Sequence, residues 1–236
     1  MTCNWTNYLQ NICNLSNIKE FIIPYMNQIP GKSIEDSRQD IINMIYDIKK
    51  MKNAEIINLS GCHFKVIFNN IFCGLNNLTT LHLYDANLLS FPEIICSLTT
   101  LKKLELGYNK ITQIPESIEN LVNLEKLGME SNLLVLLPEN LYSLPKLKYL
   151  YIQNNKLKTI SKKVNNIKRV YINIYSYENL DNLPNDSSCE YLQLHNLHIA
   201  LKNLPISLLE IRLYRPEKIN IKLPYNCKLY VDNILQ

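Results

Sequence analysis

Two short segments carry residue types that could support catalysis or cofactor binding. Gly31-Lys32-Ser33 has the end of a phosphate-binding loop, but the first glycine of such a loop would fall at Met26. His195 and His198 lie near Cys189 with metal-ligand spacing, yet no fourth ligand follows, and two outward-facing imidazoles explain them better. The five glycines are never closer than thirteen positions, which excludes dinucleotide-binding and serine-hydrolase glycine motifs. We therefore expect no enzyme, cofactor or metal site.

Composition indicates a folded chain with a buried core. Apolar residues make up 47% of the 236 residues and charged residues 19%, which excludes a disordered chain. The length fits one extended domain or two small ones. The net charge of +4 is only mildly basic and argues against a dedicated nucleic-acid coat.

The N-terminal residues and the cysteines predict a cytoplasmic protein. The first five residues show no positive leader and no apolar run follows them, so no secretory signal is predicted. No stretch approaches 18 apolar residues, so no membrane span is predicted. The seven cysteines are odd in number and at least ten positions apart, which favours reduced thiols.

An internal repeat is the strongest pattern in the chain. Leu78, Leu101, Leu124 and Leu147 open four consecutive copies, each 23 residues long. Within the second copy the motif reads Leu101-x-x-Leu104-x-Leu106-x-x-Asn109-x-Ile111. Alternating leucines predict a short parallel strand with one buried face, which is stable only when a neighbouring copy stacks on it.

This motif resembles the leucine-rich repeat family, L-x-x-L-x-L-x-x-[N/C]-x-L. The Leu-Pro or Ile-Pro that follows it is similar to the 23-residue intracellular subclass of Ras-associated scaffold proteins and their plant relatives. A 24-residue copy begins at Ala54, and the copies shorten after 167. The resemblance implies an α/β solenoid, a horseshoe with a parallel concave sheet and short helical or extended convex segments. About eight repeats would span 54–236.

The family resemblance also implies a function. Leucine-rich repeat proteins act as non-enzymatic protein-interaction modules or scaffolds, here in a signalling or host–pathogen context. The abundance of Asn, Ile, Lys and Tyr resembles leucine-rich repeat proteins of giant amoebal DNA viruses, which would place the chain in a host cytoplasm.

Asparagines at one repeat position predict a polar ladder. Asn109, Asn132 and Asn155 should turn inward at a bend whose backbone groups lack strand partners. Ala86 occupies the same position in the preceding copy and should interrupt the ladder.

The two ends of the solenoid need covering. We assign 1–53 to an N-terminal helical cap, with a helix over 33–52 that presents Ile41, Ile45 and Ile48 on one face. Residues 229–236 show no recognisable cap, which predicts an edge that frays or pairs with another chain. A monomer is nevertheless the expected oligomeric state.

Outward-facing strand positions should line the concave face and bind a protein partner. Tyrosine and arginine are enriched where binding energy concentrates. The predicted binding residues are Tyr84, Tyr149, Tyr151, Gln153, Arg169, Tyr171, Tyr191, His195, Arg212 and Tyr214.

Two alternative functions remain open. Residues 146–169 contain eight basic and no acidic residues, which suits a nucleic acid or another acidic surface. Mapped onto the repeat, however, these charges do not form one stripe, and a solvated basic sector is favoured. The second alternative is a structural or assembly role driven by the uncovered C-terminal edge.

Overall fold

The computed structural model describes most of the repeat region and parts of both ends. The described residues are 2–3, 12–23, 43, 45–62, 71–157, 161, 163, 167–173, 190–195, 204, 207–216 and 221–236. Within these ranges, twelve strands form one open sheet in which each strand pairs with the next along the chain. The first eleven strands are parallel, and the last is antiparallel to its neighbour.

The strands are short, as the repeat motif predicts. Their bounds are β1 Thr2–Cys3, β2 Glu20–Ile22, β3 Ile56–Asn58, β4 Thr80–His82, β5 Lys103–Glu105, β6 Lys126–Gly128, β7 Tyr149–Tyr151, β8 Arg169–Asn173, β9 Tyr191–His195, β10 Glu210–Tyr214, β11 Lys228–Val231 and β12 Ile234–Leu235. This arrangement confirms the predicted solenoid with a parallel sheet.

The core is a continuous column of stacked leucines. Leu104, Leu127 and Leu150 are register partners on β5, β6 and β7, and all three are fully buried. Burial of one such side chain contributes about 1.5–3 kcal/mol. The fixed leucine interval therefore stacks the coils as predicted.

Prolines begin the segments on the opposite side of the core. Glu93–Ser97, Glu116–Asn120 and Glu139–Ser143 are short 3-10 helices, each preceded by an extended proline. The carbonyl of Pro115 accepts a hydrogen bond from the Ile118 N–H at 3.1 Å. This turn buries Ile118 beneath it, so Ile-Pro sets both the turn and its apolar contact.

Buried asparagine amides hold the bend between the strand and the return segment. Oδ1 of Asn132 accepts a hydrogen bond from the Ile111 N–H at 3.0 Å. Its Nδ2 donates to the carbonyls of Leu106 at 2.9 Å and Met129 at 3.1 Å. Asn109 and Asn155 form equivalent bonds with the preceding coils.

The coil with Ala86 lacks an amide of its own at this bend. Asn109 of the following coil accepts hydrogen bonds from the N–H groups of Ala86 and Leu88, at 3.0 and 2.9 Å. The backbone of the Ala86 coil is therefore satisfied even though its side chain contributes nothing.

The N-terminal region adds strands as well as helical turns. β1 and β2 pair in parallel with each other, and β2 continues onto β3, so the sheet begins before residue 54. Residues 45–47 are helical and lead into a 3-10 turn, Ile48–Lys50, with Ile45 and Ile48 buried. The rest of the predicted helix, 33–42 and 44, lies outside the described residues.

A hairpin covers the C-terminal edge, which the sequence predicts to be uncovered. β12 folds back antiparallel onto β11 through Asp232 and Asn233. Both turn residues are left-handed, with φ of 47° and 70°, the conformation that tight hairpins require. The expectation that residues 229–236 lack a cover is therefore wrong for β11, which pairs with β12 within the chain, while pairing of this edge with another chain stays a prediction.

Candidate functional site

The exposed sheet face is formed by the strand side chains that alternate with the buried column. Register places them in rows that cross the strands. One row runs Lys103, Lys126, Tyr149, Arg169, Tyr191, Glu210 and Lys228. The next row runs Glu105, Gly128, Tyr151, Tyr171, Gln193, Arg212 and Tyr230.

The predicted binding residues form two groups: two lie just beyond strand ends, and eight lie on strands. Tyr84 follows β4 and Gln153 follows β7. The side chains of Tyr171 and His195 lie outside the described residues. The eight predicted residues on β7–β10 are Tyr149, Tyr151, Arg169, Tyr171, Tyr191, His195, Arg212 and Tyr214.

A tyrosine–arginine cluster, formed by Tyr149, Arg169, Tyr191, Arg212 and Tyr230, occupies the C-terminal half of the face. The Arg169 guanidinium carbon lies 5.9 Å from the Tyr149 ring centroid and 5.6 Å from that of Tyr191. That of Arg212 lies 4.7 Å from the Tyr230 ring centroid. Such cation–π contacts restrain long side chains before any partner binds.

A second feature, the glycine cleft, lies between β4 and β7. It is a depression of about 380 Å³. Gly107 and Gly128, outward positions that carry no side chain, lie beneath the Glu130 and Glu105 carboxylates of this cleft. A methyl group at 107 would lie 2.6 Å from Cδ of Glu130, and one at 128 would overlap the Glu105 carboxylate. Its lining residues are Ser60, His82, Tyr84, Lys103, Glu105, Lys126, Glu130 and Tyr151.

Two lysines at this cleft share one carboxylate. Nζ of Lys126 lies 3.0 Å from Oε1 of Glu105, and Nζ of Lys103 lies 3.5 Å from the same oxygen. Lys126 also sits 4.5 Å from the Tyr151 ring centroid. Both ammonium groups are therefore directed towards Glu105.

Glu130 is in a different position. Burial raises the pKa of its carboxyl, and the neighbouring charge of Glu105 adds to that effect. Its Oε2 is buried and has no hydrogen-bond partner among the described residues, and the same holds for Oε1 of Gln153. Buried acceptors without donors are rare because each costs about 1–3 kcal/mol.

Two further groups of the cleft, His82 and Tyr84, have pKa shifts that favour their uncharged forms. Burial, with a smaller contribution from Lys103, lowers the pKa of His82. Burial and the contact with Tyr108 raise the pKa of Tyr84 to about 12, and the two rings lie 4.8 Å apart. This arrangement supplies acceptor atoms and aromatic walls. Among the described residues, no three His, Cys, Asp or Glu side chains are grouped to hold a metal ion.

The basic segment 146–169 is half neutralised where the structure describes it. Three of its six described basic residues pair with acids of neighbouring coils: Lys148 with Glu125 at 3.0 Å, Lys163 with Glu139 at 3.2 Å and Lys168 with Glu190 at 3.1 Å. Lys158 and Lys162 lie outside the described residues. Pairing of this kind is typical of a solvated basic sector.

Sequence reasoning missed the glycine cleft. The alternation of the repeat places Glu105, Lys126 and Glu130 at outward positions, but it gives them no binding role. The signal that could have found the cleft is the pair Gly107 and Gly128, which replace side chains at outward positions of neighbouring coils.

Comparisons with known proteins agree with this architecture. The family model described as leucine rich repeat matches residues 91–134. A comparison with curated protein sequences gives no significant match. Among the described residues, no helix has the length and apolar character needed to cross a bilayer.

Solved structures similar to this chain are bacterial leucine-rich repeat proteins. One from Leptospira interrogans is 20% identical, with a TM-score of 0.65 over 97% of this chain and 72% of its own. The Listeria monocytogenes internalin InlF is 21% identical, with a TM-score of 0.56 over 72% of this chain and 50% of its own. Internalin C2 of the same organism is 21% identical, with a TM-score of 0.50, and the match covers 67% of this chain and 63% of internalin C2.

At these identities the likeness establishes the fold, and the repeat match establishes the motif that produces it. Together with the stacked leucine column and the parallel sheet, they show that this chain has the leucine-rich repeat fold, with the family's motif matched at residues 91–134.

Proposed function

We propose that this chain is a non-enzymatic protein-interaction module that binds a protein partner through the exposed sheet face. Repeat solenoids present extended binding surfaces of this kind. The tyrosine–arginine cluster is the observation that carries the proposal, because it places large amphipathic side chains side by side on the face.

The cluster has the properties of a binding hot spot. Tyr149 and Tyr191 are partly exposed, and each contacts the Arg169 guanidinium, so ring area and charge are presented together. Restrained side chains lose little rotamer freedom on binding, which leaves more of the contact energy for affinity. Tyrosine and arginine are also the residue types most enriched in hot spots.

The test is capture of a partner by the immobilised full chain, with identification by mass spectrometry. The lysate comes from the source organism or its host. We expect Tyr149→Ala with Tyr191→Ala to weaken the captured complex by about thirtyfold or more, the size of one hot-spot loss. The melting temperature should change little, because neither ring belongs to the buried column.

A matched control is Tyr46→Ala. Tyr46 is 56% exposed and lies in the N-terminal helical residues 45–47, between β2 and β3, far along the sheet from the cluster on β7–β11, so its loss should leave capture unchanged. Capture that survives the double variant, or that Tyr46→Ala weakens equally, would exclude the cluster as the binding surface.

A further inference from the structure

Two acceptor oxygens on the exposed sheet face lack donors and occupy equivalent positions in neighbouring coils. The Tyr108 N–H donates to the Glu130 carbonyl at 2.8 Å, and the Ser131 N–H donates to the Gln153 carbonyl at 2.9 Å. These bonds place Glu130 and Gln153 one coil apart, about 4.8 Å in a parallel sheet. Oε2 of Glu130 and Oε1 of Gln153 have no hydrogen-bond partner among the described residues.

The cations closest to Glu130 are already engaged elsewhere. Lys126 and Lys103 both approach Oε1 of Glu105, and Lys126 is also stacked on the Tyr151 ring. Glu130 therefore supplies a carboxylate to the cleft with no cation directed at it among the described residues. A ligand that brings both positive charge and N–H donors would complement it.

The cleft has room and walls for a flat group. Gly107 and Gly128 are buried beneath the carboxylates of Glu130 and Glu105, which take the space that side chains at these two positions would fill. Tyr84 and Tyr151 line the same depression of about 380 Å³. Aromatic rings beside a carboxylate suit a planar cation, which can stack on a ring while its edge donates hydrogen bonds.

From this arrangement we propose that the glycine cleft receives an arginine side chain of the protein partner, whose guanidinium donates to Glu130 in the cleft and to Gln153, which lies one coil beyond Glu130 and just outside the cleft's lining residues. The inference rests on the proposed function and specifies the chemistry of the partner. A guanidinium has five N–H donors in a fixed plane and can reach acceptors in two neighbouring coils. An ammonium is a point charge that cannot match this spacing and stacks less well on tyrosine.

The test uses small probes and the full chain labelled with nitrogen-15. N-acetyl-arginine amide is titrated while the backbone amide shifts of Gly107 and Gly128 are followed by NMR. We expect saturable shifts with a dissociation constant in the millimolar range, as one charge-assisted contact gives. N-acetyl-citrulline amide, which has the same shape without the charge, should bind at least tenfold more weakly.

Two isosteric variants locate the contact. Glu130→Gln removes the charge at constant size and should weaken arginine binding at least tenfold. Glu116→Gln is the matched control, because Glu116 is exposed on a 3-10 segment on the opposite side of the core. It should leave the titration unchanged.

A third variant tests the electrostatic basis of the site. Lys126→Met removes a cation from the cleft and should strengthen arginine binding severalfold, because the remaining carboxylates are less neutralised. A decrease or no change would contradict the role assigned to Lys126 and Glu130.

Several results would overturn the inference. These are absence of saturable shifts at Gly107 and Gly128, equal binding of the citrulline probe, equal binding of N-acetyl-lysine amide, or full binding by Glu130→Gln. Any of them leaves the proposed function to be judged by the Tyr149 and Tyr191 variants, whose capture experiment does not involve the cleft. Conversely, capture that survives those variants, while the arginine probe binds, would reject the tyrosine–arginine cluster and retain the cleft.

Discussion

The middle coils, residues 78–157, and the C-terminal coils, residues 167–236, build the same sheet in different ways. In the middle, strands of three residues recur every 23 positions. In the C-terminal part, β8–β10 have five residues each, and the interval falls to nineteen positions from Tyr191 to Glu210 and eighteen from Glu210 to Lys228.

This difference changes how the backbone is satisfied and what the face displays. A 23-residue coil leaves a bend that buried asparagines fill, whereas a shorter coil places more of its residues in strand pairing. A five-residue strand also directs three side chains outward instead of two, as Glu210, Arg212 and Tyr214 show in β10. The middle coils are therefore more regular, and the C-terminal coils carry more outward side chains per strand.

The largest expected effect comes from interrupting the middle column. Leu127→Ala removes a fully buried side chain that has leucine neighbours on both sides, Leu104 and Leu150. We expect a loss of about 3–4 kcal/mol in the free energy of unfolding, because the cavity affects both interfaces of the coil. Urea unfolding followed by circular dichroism measures it.

The comparison variant is Leu229→Ala in β11, which is only partly buried at the C-terminal side of the sheet. Its cost should be about 1 kcal/mol, since less area is lost and one neighbouring coil is the terminal hairpin. An equal loss in the free energy of unfolding for the two variants would show that the middle coils contribute no more to stability than the C-terminal coils.

The second effect concerns the asparagine bend. Asn132→Ala leaves the Ile111 N–H and the Leu106 carbonyl without their side-chain partner and should cost about 3 kcal/mol. Asn140→Ala is the control, because this amide lies at the surface and makes one long bond, 3.4 Å, to the Glu116 carbonyl. A loss of similar size in both variants would mean that the bend contributes no more than a surface amide.

The sequence is most informative where the repeat is exact. The positions of Leu104, Leu127 and Leu150 alone predict the strands, their direction and their register, because a 23-residue interval permits one stacking. The outward side chains follow from the same alternation, which is why the pattern alone places Tyr149 and Arg169 on one face.

Prediction from the sequence fails where the spacing between repeats changes, or where a property depends on distances between side chains of different coils. β2 contains Phe21 but lies 36 positions before its partner Ile57, so no repeat marks it. The C-terminal hairpin depends on two left-handed residues, Asp232 and Asn233, which the leucine pattern does not mark. The unpartnered oxygen of Glu130 arises from the shapes of several coils together, which a linear pattern does not contain.

The smallest expected effect separates the proposed binding role of Glu130 from its effect on stability. Because burial raises the pKa of Glu130 above its ordinary value of 4.5, the folded chain holds this proton to higher pH than the unfolded chain does. Ionisation of this carboxyl therefore lowers the free energy of unfolding as pH rises from the ordinary pKa to the raised one, and this loss is complete above the raised pKa. The Glu130→Gln variant keeps the other charged and titratable groups that line the cleft, namely Glu105, Lys103, Lys126, His82 and Tyr84. We expect the Glu130→Gln variant to be as stable as the wild-type chain well below pH 4.5 and more stable at neutral pH. The gain should be smaller than the loss caused by Leu127→Ala or by Asn132→Ala. Thermal unfolding of both proteins across this range measures the difference. A variant less stable than the wild-type chain at neutral pH would show that Glu130 supports the fold, whereas a more stable variant that binds the arginine probe poorly shows that the carboxylate lowers stability and serves binding.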